Sequence, residues 1–288
     1  MRRNINSLLG VLFSAAILSS CSDNHDGPQE LRSEMTFTFS HPSQTRATDT
    51  AFEQGDQVGL YLVNDGNTFE ISGNHLNNER ITFAGSGWNS DRKLYWDQGT
   101  YNAYAYFPRL DEITSVTDLP FSVATDQRGG TEGYEASDFL HASALGLTAS
   151  ANPVDLQFRH IMSKLTIRLI KGEDYEGEIP EKATVYLHNT VTDATVDLKA
   201  GVATRDMRSR GTTITARQSG TTTYTAIVVP QRLENRVPLV EVVMNGVSFL
   251  YESKFIFKPG IHHVVNLVVD KNPEQVKIEI GGELTNWD

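Results

Sequence analysis

The sequence holds a single cysteine, Cys21, among its 288 residues, so no intrachain disulfide can form. Its most apolar stretch, Leu8 to Leu18, is too short to cross a bilayer. Basic residues are few: 25 Lys and Arg stand against 36 Asp and Glu, for a net charge of −11. A surface this negative repels phosphates, which excludes nucleic acid and anionic headgroups as direct partners. Catalytic signatures are missing as well: there is no GxSxG, no GxxxxGK[ST] and no HExxH. His262-His263 is the only adjacent histidine pair, and on a strand neighbours face opposite ways, so the two cannot share a metal. His160 is expected to be a hydrogen-bonded structural residue. No catalytic residue, metal site or cofactor is therefore expected. No run before residue 153 keeps helical spacing over the roughly ten residues a helix needs.

What is present begins with an address. Arg2 and Arg3 precede the apolar stretch, which ends Leu18-Ser19-Ser20-Cys21. Residues 1–20 read as a signal peptide, and LSSC resembles a bacterial lipobox, in which the cysteine is lipidated and becomes the new N-terminus. Ser22-Asp23-Asn24-His25-Asp26 then starts a polar tether.

From Leu31 to Thr48 the chain reads LRSEMTFTFSHPSQTRAT. Met35, Phe37 and Phe39 alternate with Thr36, Thr38 and Ser40, the period-two pattern of a half-buried strand. Pro42 ends the strand, having no N–H for a ladder. Arg46-Ala47 follows in a segment with nothing to bury, where a trypsin-like protease could cut. This first strand is read as removable, to be replaced by a strand of another subunit.

The rest is strand and turn. Val58, Leu60 and Leu62 alternate in DQVGLYLV before the turn Asn64-Asp65-Gly66. Leu94-Tyr95-Trp96 and Tyr101 to Phe107 form an aromatic stripe, read as sandwich core and not as a sugar-stacking platform. TDQRGGTEG, from Thr125 to Gly133, reads as an exposed loop. After the small, polar Ala149-Ser150-Ala151-Asn152-Pro153 come further strands, from Leu165-Thr166-Ile167 to Ile261–Val269, with the hairpin signal Asn245-Gly246. Thr212 to Thr225 is threonine-rich and is read as including a mobile solvent loop. Val276, Ile278 and Ile280 alternate once more before Trp287, in a strand that either folds back on its own sheet or reaches outward. Short strands punctuated by turns argue for β-sandwiches.

Ordered along nearly the whole chain are LSSC at 18–21, TRA at 45–47, FEQGDQVGLYLV at 52–63, YWDQGTYNAYAYFP at 95–108, DFLHASA at 138–144, LQFRHIMSKLTI at 156–167, FKPGIHHVVNLVV at 257–269 and Trp287. In these the chain resembles the fimbrillin family, pilins of the type V pili of Bacteroidales. The resemblance implies an all-β fold of two transthyretin-like β-sandwich domains in tandem, expected at 47–153 and 154–288. Ahead of them stands 21–46, the lipidated tether with its removable strand. It implies a precursor held at the outer membrane by the Cys21 lipid and cut between Arg46 and Ala47 by an arginine-specific protease. It implies other pilin subunits as partners, joined by strand addition. The candidate donor is 275–288, with Val276, Ile278, Ile280 and Trp287 as its knobs. The competing reading is a monomeric surface lipoprotein that binds glycan or protein; a tip adhesin would combine the two. Asp49-Thr50-Ala51 resembles an O-glycosylation acceptor.

Overall fold

The computed structural model describes residues 33–41, 51–270, 277–279 and 284–287. The regular structure of the described chain is almost all strand; its helical turns are one π-helical turn at Gly130–Tyr134 and a 3₁₀ turn at Glu135–Ser137. The first strands are β1 (Phe37–Ser40), β2 (Gln57–Asn64), β3 (Leu76–Phe83), β4 (Trp88–Ser90), β5 (Thr100–Phe107), β6 (Leu119–Ser122), β7 (Leu140–Thr148), β8 (Val154–Gln157) and β9 (Arg159–His160). They are followed by β10 (Ser163–Lys171), β11 (Thr184–Thr190), β12 (Asp193–Asp197), β13 (Val202–Arg205), β14 (Thr212–Thr215), β15 (Arg217–Gly220) and β16 (Thr223–Val228). The long hairpin β17 (Gln231–Met244) and β18 (Val247–Phe257), then β19 (Ile261–Val269), β20 (Lys277–Glu279) and β21 (Leu284–Asn286), complete the set.

A six-stranded sheet, ordered β4-β3-β2-β5-β7-β9, is the wall between two cores. In β2, Val58, Leu60 and Leu62 face one core while Tyr61 and Val63 face the other. In β5, Tyr101, Ala103 and Ala105 oppose Tyr104 and Tyr106 in the same way. A strand covered on both faces reads as a continuous apolar run, which is why QVGLYLV shows so little polar content. The aromatic stripe is core, as read from the sequence: Trp96, Tyr101, Tyr104 and Tyr106 are buried. Gly59 leaves room for this packing, since a Cβ there would lie 2.3 Å from the Tyr106 ring.

The near core lies between this sheet and the pair β1-β8. The far core lies against the sheets β15-β16-β10-β19-β20, with β21 also on β19, and β14-β11-β17-β18. A division at residue 153 does not separate the sheets. Strands β8 and β9, beyond that point, pair with β1 and β7, and β6, before it, pairs with β12.

Local turn chemistry follows the sequence where the backbone demands it. Asn245 and Gly246 take φ of 51° and 76°, the positive values a tight hairpin turn between β17 and β18 requires. Two expected loops are more ordered than the sequence suggests. The stretch from Thr212 to Thr225 forms β14, β15 and the start of β16, because β-branched threonines suit a pleated, half-exposed surface. Within Thr125–Gly133, Gln127 is fully buried: its amide oxygen accepts from Ile227 N at 2.8 Å and its nitrogen donates to Ile227 O at 2.8 Å.

Candidate functional site

Strand β1 fills a slot in the near core. Met35, Phe37 and Phe39 are 3, 6 and 7% exposed, while Thr36, Thr38 and Ser40 face outward. Along one edge β1 runs parallel to β8, with Phe37 opposite Val154 and Phe39 opposite Leu156. That ladder continues past both ends, from Val154 N to Thr36 O at 2.9 Å and from Phe158 N to Ser40 O at 3.0 Å. The other edge is held at points. Met35 N donates to Leu94 O at 2.8 Å, Trp96 N to Ser33 O at 3.0 Å, and the Trp88 indole to Phe39 O at 3.2 Å. Between these points a gap of about 310 Å³ lies beside Met35, Phe37, Ile81, Trp88 and Leu94.

The slot is apolar and aromatic. The Phe39 ring meets Trp88 edge-on at 4.9 Å and stacks on Phe158 at 5.7 Å. Leu60, Leu62, Ile81, Leu94, Trp96 and Leu156 belong to the same core. Burying one such side chain stabilises by roughly 1.5–3 kcal/mol, so a slot emptied of its strand would be strongly receptive. It would also present the unpaired main chain of β8, which alternating apolar side chains can read.

The C-terminal strands lie elsewhere, on β19. Ile278 pairs through its backbone with Leu267, and Thr285 with His262. Beyond them Trp287 is buried; its N–H donates to Gly260 O at 2.9 Å and its ring stacks on His160 at 3.9 Å with an angle of 2°. Of the two outcomes left open for this segment, the structure shows it folded back on its own sheet. Val276, Ile280, Cys21, Arg46, Ala47 and Thr50 lie outside the described residues.

The histidines are structural. His160 Nδ1 donates to the Asp138 carboxylate, whose oxygens stand at 2.9 and 3.0 Å. His262 and His263 point to opposite faces: the first bonds Thr166 Oγ1 at 2.8 Å and the second accepts Lys258 N–H at 3.1 Å. Burial pulls both imidazoles down to about 4, keeping them neutral. Lys164, whose ammonium sits 5.6 Å from the centre of the Trp287 ring, is pulled down to about 8 by burial. Among the described residues no three His, Cys, Asp or Glu gather as metal ligands.

The model of one family, described as fimbrillin-like, matches residues 45–287. The chain belongs to the fimbrillin-like family. A curated fimbrillin relative from Bacteroides ovatus, which carries the name fimbrium tip subunit Fim1C, is 29% identical over 201 residues. That alignment covers 60% of this chain and 37% of the relative, so this fimbrillin spans well under half of that protein's length. Two crystal structures, each titled as a cell adhesion protein, share the fold. The one from Bacteroides ovatus superposes with a TM-score of 0.70 at 17% identity, covering 89% of this chain and 98% of that one. The one from Bacteroides uniformis gives 0.68 at 18%, covering 91% and 100%.

Of the groups around the slot of this fimbrillin, Met35, Phe37 and Phe39 were legible as its filler. The walls were not: Trp88 sits on the three-residue β4, and Ile81 on β3, where polar residues interrupt the period. The VDLQF alternation at 154–158 was the available signal for β8.

Proposed function

We propose that this chain is a structural subunit of a cell-surface fimbria serving adhesion, made as a lipoprotein precursor and polymerised by strand exchange. The observation that carries the reading is β1: a strand with three large buried side chains, fully laddered on one edge and pinned at points on the other. The family match supports it further, since it begins at residue 45 and leaves β1 outside. In this reading Cys21 carries the lipid that holds the precursor at the outer membrane. An arginine-specific protease cuts between Arg46 and Ala47, β1 departs, and a neighbouring subunit's strand enters the slot. Slot and donor are different surfaces, so the contact is head-to-tail and propagates as a filament. The donor is the C-terminal strand, with Val276, Ile278 and Ile280 as knobs and Trp287 at its end. In this reading the two cores are sandwiches in tandem that share one wall, the sheet β4-β3-β2-β5-β7-β9.

The test is trypsin on the precursor, followed by gel analysis without boiling. Cutting is expected first at Arg46, and the cut protein is expected to form detergent-resistant ladders that Ile278→Asp suppresses. An Arg46 bond that resists while internal arginines are cut removes the maturation step. Ladders unchanged in Ile278→Asp move the donor to another segment. One observation favours a second reading, a tip subunit that accepts a strand and donates none: β20, β21 and Trp287 are all docked on their own chain. The tip name of the Bacteroides ovatus relative agrees with it.

A further inference from the structure

His160 touches both ends of the chain. Its ring meets that of His41, the residue after β1, with centres 5.8 Å apart at 74°. It also stacks parallel on the Trp287 ring at 3.9 Å. The remaining surroundings are fixed. Asp138 holds Nδ1, the backbone of His160 pairs with Leu140, and the side chain is almost wholly buried. Gly260 locks the socket from behind. It takes φ of +64°, its N–H donates to Met162 O at 2.8 Å, and its carbonyl accepts from Trp287. A Cβ at Gly260 would stand 3.0 Å from His160 O, so the backbone of the socket has no slack. Among the described residues, the ring neighbour of His160 that leaves with an excised β1 is His41.

We propose that His160 couples the two ends of the chain: loss of His41 with the first strand loosens Trp287 and releases β20 and β21 from the edge of β19. Removing His41 takes away one of the two rings that pack on the imidazole, so the His160 ring gains freedom and its contact with Trp287 weakens. The C-terminal strands are short, pair on one side only, and stand on a sheet edge; such elements open locally at little cost, so a small loss in the anchor shifts them strongly. Excision at the front of the chain thereby arms its back. This rests on the strand-exchange reading for its purpose, because a released C-terminal segment becomes the donor for the next subunit.

Hydrogen–deuterium exchange on the full precursor tests it, with wild type, His41→Ala, His160→Ala and trypsin-cut wild type side by side. His41 is half-buried beyond the end of β1, so His41→Ala keeps the fold. Peptides covering 277–287 are expected to exchange about tenfold faster in His41→Ala, in His160→Ala and in the cut protein, with β2 and β5 unchanged. Unaltered C-terminal protection in His41→Ala overturns the coupling, even if His160→Ala exchanges faster. Protection that persists in cut protein after β1 has left also overturns it and favours the tip reading. Native mass spectrometry reports the strand separately. A 22–46 fragment that stays bound after cutting defeats strand exchange, while the His41→Ala comparison still decides the coupling.

Discussion

Strand β1 sinks Met35, Phe37 and Phe39 into a core and pairs residue for residue with β8, whereas β20 and β21 meet β19 in two separate pieces of three residues each. The first is held by what its side chains displace from water. For the second, the described contacts are its ladder on β19 and the Trp287 ring on His160. A strand of the first kind leaves only when the covalent link behind it is cut and something else can fill the slot. A strand of the second kind can open while everything beneath it stays folded. In the strand-exchange reading, the first strand would be the filler that is hard to remove and the second the tail that is easier to lift.

The comparison breaks most readily at Phe39. Phe39→Ala is expected to destabilise the precursor by about 3–5 kcal/mol, seen as a lower urea midpoint, because the cavity opens between Trp88 and Phe158. In the strand-exchange reading, the same substitution is expected to leave the assembled filament's stability unchanged, since the residue would have gone by then. A filament weakened equally by Phe39→Ala would mean that β1 stays in place. Both ends of this contrast were partly readable in advance. Alternation in MTFTFS stands out because apolar and polar residues are large and small in turn over six positions. Whether the tail docks at home was not readable, because a strand needs the same alternation on its own sheet as in a neighbour's groove. Strand β3 escaped notice altogether: LNNERITF is broken by Asn78 at φ 46° and by a register shift against β2, and its polar residues interrupt the period. The interlocking of the halves was also hidden, since β6 and β8 are four residues each and reveal their partners only in three dimensions.

Acid sharpens the comparison with a smaller effect. His262 and His263, which pair with Thr285 and Leu284, have their imidazoles pulled down to about 4, as does His141 in β7. Unfolded histidines titrate near 6.5, so between about pH 6.5 and 4 the unfolded chain binds protons that the folded chain refuses. Stability is therefore complete above that window and falls as the pH drops through it. The melting temperature is expected to fall by roughly 5 °C between pH 7 and pH 5. Two of these three residues lie under β21, so the C-terminal strands are expected to lose exchange protection before β1 does. Equal loss at both ends would place the acid-sensitive element in the shared sheet at His141.

The smallest effect is expected at Thr38, whose hydroxyl donates to Asp155 at 3.1 Å on the exposed face of β1. Thr38→Ala is expected to change stability by less than about 0.5 kcal/mol by urea titration. A larger loss would show that the outward face of β1, and not only its buried row, secures it.

The sheet β4-β3-β2-β5-β7-β9 serves both cores, with Leu60 on one side and Tyr61 on the other. A wall loaded from both sides cannot bow toward one without opening the other, and close-packed interiors transmit strain with little give. In the strand-exchange reading, tension entering at the slot of β1 would be passed through that wall to the far core. A subunit of this kind behaves mechanically as one stiff link, and a filament made from it would bend at its joints.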